Sequence, residues 1–249
     1  MVGSGPRILY EDENFLAVGK PAGLLAHSDG RSDEKTLADW LRSRYPSLEG
    51  VGEPLKLANG EVVRRCGIVH RIDRDTSGVL LVAKNESAFS SLKRLFQDRK
   101  VEKVYRVFVY GEIEKDDGLI EKPIGRDRGD FRRWSAGRQT LRGRTRDAVT
   151  SYRVLGRLPG FSFLEVRPET GRTHQIRVHL KAIGHPVVCD KLYAPERACA
   201  LGFSRLALHA RSITFPAASG NKITVTAPYP DDFAAAVGAL AAAGAVAED

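Results

Sequence analysis

Cysteine, methionine and tryptophan are scarce in this 249-residue chain, which holds three, one and two of them. Cys66, Cys189 and Cys199 form no Cys-x-x-Cys pair and leave an odd thiol. That usage argues for a reducing compartment and against both a disulfide framework and a zinc ribbon. Long apolar runs are missing as well. The opening MVGSGPRILYEDE has none of the apolar core of a secretory signal. The longest uncharged stretch, Phe233–Ala247, is 15 residues of mostly Ala and Gly, short of the roughly 20 that span a bilayer. A soluble cytoplasmic protein with no membrane partner is expected. No Gly-x-Gly-x-x-Gly follows the first strand-like segment and no phosphate-loop signature occurs, so no nucleotide cofactor is expected. His174, His179 and His185 stand five and six apart without a His-Glu-x-x-His pattern, and His27, His70 and His209 add no ligand spacing. No metal site is expected either.

What the chain has in excess is positive charge: 39 Lys and Arg against 31 Asp and Glu, a net of +8 and a pI near 9.5. Nearly all of the excess is local. Between Lys122 and Arg146 stand nine cations (Lys122, Arg126, Arg128, Arg132, Arg133, Arg138, Arg142, Arg144 and Arg146) against Asp127 and Asp130, or +7 over 25 residues. Arginine dominates, and its planar fork suits bidentate phosphate contacts and stacking on bases. Phe131 and Trp134 are interleaved, the mixture expected where a nucleic-acid backbone is gripped and bases stack. The plainer alternative is a solvated, mobile loop that is merely rich in arginine; charge concentrated this way favours RNA contact, with Arg132 and Arg133 among the candidates.

At 42% apolar and 28% charged residues the chain can bury a substantial core. ILY and FLAVGK read as two short strands about the Glu11–Asn14 turn, stopped by Pro21. Leu37, Trp40, Leu41 and Tyr45 recur at helical spacing between Thr36 and Pro46, and Ser47–Arg65 reads as loop. Val79–Ala83 is an apolar strand leading to a helix over Glu86–Asp98, whose stripe of Ala88, Phe89, Leu92, Leu95 and Phe96 is read as core. Tyr105–Val109 alternates as a strand. Ala148–Leu155 and Phe161–Val166 form a β pair, and Thr173 is the expected cap of a helix to Ile183. Ser212–Phe215 and Ile223–Ala227 are late strands, and Asp231 or Asp232 is the expected cap of an Ala-rich helix. The fold class is therefore α+β with a mainly antiparallel sheet. One catalytic domain is expected over 7–230, followed by the Ala-rich tail at 231–249.

Three segments carry residues able to do chemistry. In GIVHRIDRDTSGVLLVAK, Gly67–Lys84, Asp73 lies between Arg71 and Arg74 beside a Thr-Ser-Gly turn and an apolar strand. Flanking guanidiniums hold such a carboxylate ionised and aimed, as a nucleophile or base requires; an Asp that merely closes a turn has the same local pattern. In RPETGRTHQIRVHLKAIGHP, Arg167–Pro186, a helix beginning near Thr173 places Arg177 in its early turns, where exposed N–H groups favour anions. In VEKVYRVFVYG, Val101–Gly111, Tyr105 sits on a strand, a place where tyrosine is usually core.

HRIDRDTSG, KVYRVFVYG and TGRTHQIRVHL, in this order and spacing, resemble the motifs of the RluA-type pseudouridine synthases. ILYEDENFLAVGKPAGLLAH resembles that family's opening and RLALHA, Arg205–Ala210, its later core strand, so that the resemblance runs from about Ile8 to Ala227. Ile72 stands where the family more often has Leu. The resemblance implies a single mixed domain with a long, mainly antiparallel sheet and the active cleft across its middle. It implies that Asp73 is the essential catalytic aspartate, that Tyr105 stacks on the target uracil and helps remove the C5 proton, and that Arg177 pairs with the aspartate. It gives Arg71 the gap left by the everted base, and gives Arg172, His174 and Gln175 support of the pocket or the RNA backbone. The implied reaction is isomerisation of uridine in ribosomal RNA or transfer RNA by a monomer without cofactor, with Asp73 acting either through an ester to the sugar or along a glycal-like path. Many relatives carry an N-terminal S4 domain; here the pattern begins at Ile8, and RNA recognition is expected to fall on the catalytic domain. Two other readings are a non-catalytic RNA-binding protein on the same scaffold, and a glycoside-cleaving enzyme, which needs a second acid opposite Asp73.

Overall fold

The computed structural model describes residues 5–28, 34–56, 60, 62–130, 132–137, 141–217 and 220–245. The chain forms two compact units, Met1–Glu102 with Ala210–Pro228 and Lys103–His209 with Tyr229–Asp249.

In the first unit β1 (Arg7–Glu11) and β2 (Phe15–Lys20) form the expected hairpin. Asp12 closes it by accepting the amides of Asn14 (2.8 Å) and Phe15 (2.9 Å) on Oδ1. Helix α1 (Leu37–Arg44) starts at Thr36, whose hydroxyl accepts the Asp39 amide while the Asp39 carboxylate accepts the Thr36 amide, a reciprocal cap. The stretch read as loop after it holds a 3₁₀ turn at Pro46–Leu48 and a small hairpin, β3 (Leu55–Lys56) with β4 (Val62–Val63). Strand β5 (Ser77–Ala83) is buried at every position, and β2 nearly so, as strands covered on both faces are. Asn85 then caps α2 (Glu86–Gln97), which buries Ala88, Phe89 and Leu92; Leu95 and Phe96 are half-buried at the edge of that stripe. Strand β13 (Leu208–Pro216), most of it in this unit, lies beside β5 and pairs with β14 (Lys222–Thr226). Gly78 has φ +121°, and a Cβ there would lie 2.2 Å from the Ala210 carbonyl oxygen, so the Thr-Ser-Gly turn ends in glycine for lack of room.

The second unit is built on an antiparallel sheet in the order β6 (Glu102–Tyr110), β12 (Phe161–Pro168), β11 (Val149–Leu158) and β7 (Asp117–Glu121). The arginine-rich segment is strand rather than loop: β8 (Ile124–Asp127), β9 (Trp134–Ala136) and β10 (Leu141–Arg146) make an antiparallel sheet in the order β10-β8-β9. Its apolar residues hold it to the body, since Ile124 is buried with Val178 and Tyr193, and Trp134 and Ala136 pack on the same cluster. Helix α3 (Gln175–Ala182) is one residue later than expected, and Thr173 does not cap it. His174 does, in the left-handed conformation at φ +55° and without a side-chain cap bond. Helix α4 (Asp231–Ala242) is the Ala-rich segment. Its cap is Pro230, not an aspartate, and the Asp232 carboxylate is drawn instead to Arg205 at 2.7 Å. Phe233, Ala236 and Leu240 insert into the core of this unit, where the Phe233 ring meets Phe203 edge-on at 5.0 Å and lies 5.7 Å from Phe108. The α+β class with antiparallel ladders is as expected.

The cysteine reading needs correction: Cys189 and Cys199 are joined in a disulfide across Cα atoms 4.5 Å apart, while Cys66 is free and buried. The nine residues between them fold back as turns, a return that no local spacing signals. Two expectations, Phe131 as an interleaved aromatic and Arg138 as part of the basic run, lie outside the described residues, as does the side chain of Arg142.

His179 on α3 is fully enclosed. Its Nε2 donates to the Lys122 carbonyl at 2.9 Å and its Nδ1 lies 2.9 Å from the Thr150 hydroxyl. Burial is the main force lowering its pKa, so the ring is held neutral. As pH falls below the ordinary histidine value of about 6.5 the unfolded chain takes up a proton that the native one refuses, and stability drops. Thermal melts at pH 7.5 and 5.5 are expected to show a lower midpoint at the acidic end. In His179→Gln, which retains an N–H donor toward Lys122 and cannot titrate, that difference shrinks.

Candidate active site

In the first unit Asp73 is half-buried at the head of the turn that leads into β5, and its carbonyl accepts the Thr76 amide at 3.1 Å. The turn is tied to the Pro-Ala-Gly segment after β2 by three kinds of bond. The Gly23 amide donates to the Arg74 carbonyl at 2.9 Å, and Arg74 Nε donates back to the Gly23 carbonyl at 3.1 Å. The third tie is Lys20. Its side chain is 1% exposed and its ammonium donates to the carbonyls of Pro21 and Leu24 (both 2.8 Å) and of Arg74 (2.9 Å). An ammonium has three N–H donors, and three carbonyls converge on this one. Lys20 thus ties the Arg74 end of the Asp73 turn to the Pro21–Leu24 segment; no role was expected for it. On the upstream side His70 Nε2 accepts the Leu81 amide at 2.9 Å and its ring stacks on Phe96 at 4.6 Å, which orients the segment carrying Arg71. Arg71 is exposed, and its charge, after burial, helps push the Arg65 guanidinium below its usual value, so this end of the loop is strongly cationic.

In the second unit Tyr105 sits on β6 opposite Val166 of β12, half-buried, with its ring against the unit's core. Its neighbour Arg106 points to the other face and meets Glu165 at 2.6 Å, both side chains buried. Burial pushes the Glu165 carboxyl up, but bonds from Arg167 (2.9 Å) and Arg106 outweigh it and hold the carboxyl below its ordinary range.

Arg177 on α3 is the centre of the remaining cluster. Its Nε and Nη2 donate to the two oxygens of Asp190 at 2.7 and 2.8 Å, and its guanidinium lies 4.9 Å from the centre of the Tyr193 ring. The Tyr193 hydroxyl accepts the Trp134 amide at 3.0 Å and is hydrogen-bonded to His174 Nδ1 at 2.8 Å. His174, Arg177, Tyr193 and the base of the arginine-rich sheet are therefore one connected group. Gln175 is 4% exposed with its amide spent internally: Oε1 accepts from Thr170 (2.7 Å) and the Arg172 amide (3.0 Å), and Nε2 donates to Val149 and Thr150 (both 2.9 Å). Of the two tasks expected of it, such a residue can brace the pocket and has no group left for an RNA backbone. Arg172 is half-buried and donates to the Asp147 carbonyl at 3.1 Å.

On the small sheet Arg132 is exposed and forked onto Asp130 through Nε (3.0 Å) and Nη2 (2.8 Å), with Arg133 at 3.4 Å from the same carboxylate. Those bonds, Arg132 first, lower the Asp130 pKa to about 2. Two guanidiniums sharing one carboxylate leave the tip of the sheet cationic. Arg126 lies over Trp134, its cross-strand partner, at 4.4 Å, so that one face of the indole is already covered. Among the described residues no group of three or more His, Cys, Asp or Glu side chains could hold a metal ion.

Comparison with known proteins agrees with the motif reading. The family model described as RNA pseudouridylate synthase matches residues 14–182. An uncharacterized RNA pseudouridine synthase of Synechocystis is 39% identical over 227 residues, which is 91% of this chain and 66% of that protein. Ribosomal large subunit pseudouridine synthase D of Zymomonas mobilis is 37% identical over 237 residues, 90% of this chain and 69% of that one. The chain thus spans about two thirds of the length of these relatives. Among solved structures, human RNA pseudouridylate synthase domain containing 1 superposes with a TM-score of 0.70 at 30% identity, covering 92% of this chain and 86% of its own. The chain belongs to the RNA pseudouridylate synthase family, isomerases that act on RNA.

Proposed function

We propose that this protein converts uridine to pseudouridine in structured RNA, with large-subunit ribosomal RNA as substrate and Asp73 as the essential group. The observation that carries the reading is the family match over residues 14–182, which takes in Asp73, Tyr105 and Arg177 with the motifs around them. The name of the Zymomonas relative favours ribosomal over transfer RNA.

In this reading the target nucleotide leaves its stack, at a cost of a few kcal/mol that aromatic and guanidinium contacts offset. Arg71 fills the vacated space. The Asp73 carboxylate acts at C1′ as the N1–C1′ bond breaks; the uracil turns, C5 bonds to C1′, and the proton lost from C5 is balanced by one gained at N1. Reactant and product are isomers, so the reaction needs no oxidant, reductant or cofactor. Tyr105 supplies a stacking face and a phenolic oxygen for the C5 proton, and Arg177 supplies a guanidinium to the reaction. The arginines of the small sheet grip phosphates, a contact whose strength falls steeply with salt.

The test is to incubate the purified protein with unmodified large-subunit ribosomal RNA and, separately, with transfer RNA transcripts, and to map pseudouridine at nucleotide resolution. Product at discrete positions of the ribosomal RNA is expected. Product in the transfer RNA alone would overturn the substrate choice, and no product in either would overturn the activity.

A further inference from the structure

We propose that Asp190 is a positioning residue for the uridine isomerisation, acting through Arg177. The inference rests on the proposed function, and specifically on Arg177 taking part in the reaction. The Asp190 carboxylate is wholly buried, and it meets Arg177 edge-on with both oxygens. Two parallel bonds fix the guanidinium in its own plane, and the Tyr193 ring at 4.9 Å fixes the plane itself.

The carboxylate is in turn fixed by backbone. Its Oδ1 also accepts the amides of Leu192 (3.1 Å) and Tyr193 (3.0 Å), so Asp190 closes the turn that places the Tyr193 ring. The residues before it are anchored to β6, the strand that carries Tyr105. The Val188 amide donates to the Phe108 carbonyl at 2.9 Å, and the Cys189 amide donates to the Tyr110 hydroxyl at 3.1 Å. That hydroxyl donates onward to the Ala198 carbonyl at 2.6 Å, inside the loop that the Cys189–Cys199 disulfide closes. Arg177 is thus held from the edge and the face by one loop, itself pinned to the tyrosine strand. Such an arrangement spends its ordering cost during folding, so the guanidinium need not reorient as charge develops in the reaction.

Asp190→Asn separates this role from a structural one. The Asn carbonyl oxygen can still accept the Leu192 and Tyr193 amides, but its NH₂ replaces the acceptor that faces Arg177 Nε at 2.7 Å, setting donor against donor. The expected result is kcat lowered about 100-fold at saturating RNA, the scale of loss for a reacting group displaced by about 1 Å, with KM and RNA affinity within threefold of wild type. Arg177→Lys and the double variant Arg177→Lys/Asp190→Asn complete the cycle. If Asp190 acts through Arg177, the double variant is no slower than Arg177→Lys alone. The inference is overturned if Asp190→Asn retains kcat within threefold, if the two losses multiply, or if the loss merely tracks the unfolded fraction in a thermal melt. Should Asp190→Asn fail to fold, Asp190→Glu keeps the charge but adds a methylene. A folded Glu variant with lowered kcat and unchanged RNA affinity supports the inference, and one with full kcat overturns it. A wild-type protein that makes no pseudouridine would instead remove the proposed function on which it stands.

Discussion

Asp73→Asn is expected to leave a folded, RNA-binding protein that makes no detectable pseudouridine, a loss of at least about 10⁴-fold in single-turnover rate. The substitution changes one oxygen for an NH₂ on a half-buried side chain, while the turn's own bond, from the Thr76 amide to the residue 73 carbonyl, is backbone and survives. The thermal midpoint and the RNA dissociation constant therefore stay near wild type. The ability to act at C1′ is removed, since an amide is neither a nucleophile nor a base at neutral pH. Pseudouridine formed by the variant at a rate near wild type would sink the assignment of Asp73 while leaving the family membership intact.

The second large effect belongs to a residue that never meets the substrate in this reading. Lys20→Met keeps the length and apolar stem of the side chain but removes the donor for the Pro21, Leu24 and Arg74 carbonyls. Each buried carbonyl left without its partner costs about 1–3 kcal/mol. The Arg74 carbonyl retains the Gly23 amide, so the expected destabilisation is about 3 kcal/mol rather than the full sum. Urea unfolding measures it. Because the lost bonds tie down the Asp73 turn, activity should fall beyond the loss of folded protein, by about 100-fold at temperatures where the variant is still native. An active variant with kcat near wild type would show that the turn holds its shape without the lysine.

Much of this was legible because the relevant signals are local. The helices at Leu37–Arg44 and Glu86–Gln97 show in the spacing of their own apolar residues, and the alternation of Tyr105–Val109 marks a strand directly. The misread pieces depend on partners remote in the chain. Thr173 has the chemistry of a cap, but Gln175 accepts the Arg172 amide and His174 turns left-handed, so the helix begins later. For the arginine-rich segment a mobile loop is only the plainer alternative to RNA contact; its strands form because Val178 and Tyr193 supply a surface for Ile124, Trp134 and Ala136. Lys20 and Asp190 escaped notice for the same reason. Each left one faint mark, a charged residue at the end of an apolar run (FLAVGK and PVVCD), where burial without a partner would be prohibitive. The Arg74 carbonyl that Lys20 binds lies 54 residues away and Arg177 lies 13 residues from Asp190, and only the folded chain names them.

The route of the polypeptide has a consequence for anyone who would dissect it. The chain leaves the first unit after Glu102, returns at Ala210 and departs again after Pro228, so neither half is a continuous piece of sequence. A clone stopping at His209 would omit α4 and strip Phe233, Ala236 and Leu240 from the hydrophobic centre that Phe108 and Phe203 share with them. Excision of either half as an independent module therefore calls for a circularly permuted or spliced gene, in which the late segment is joined by a designed linker to the body it completes.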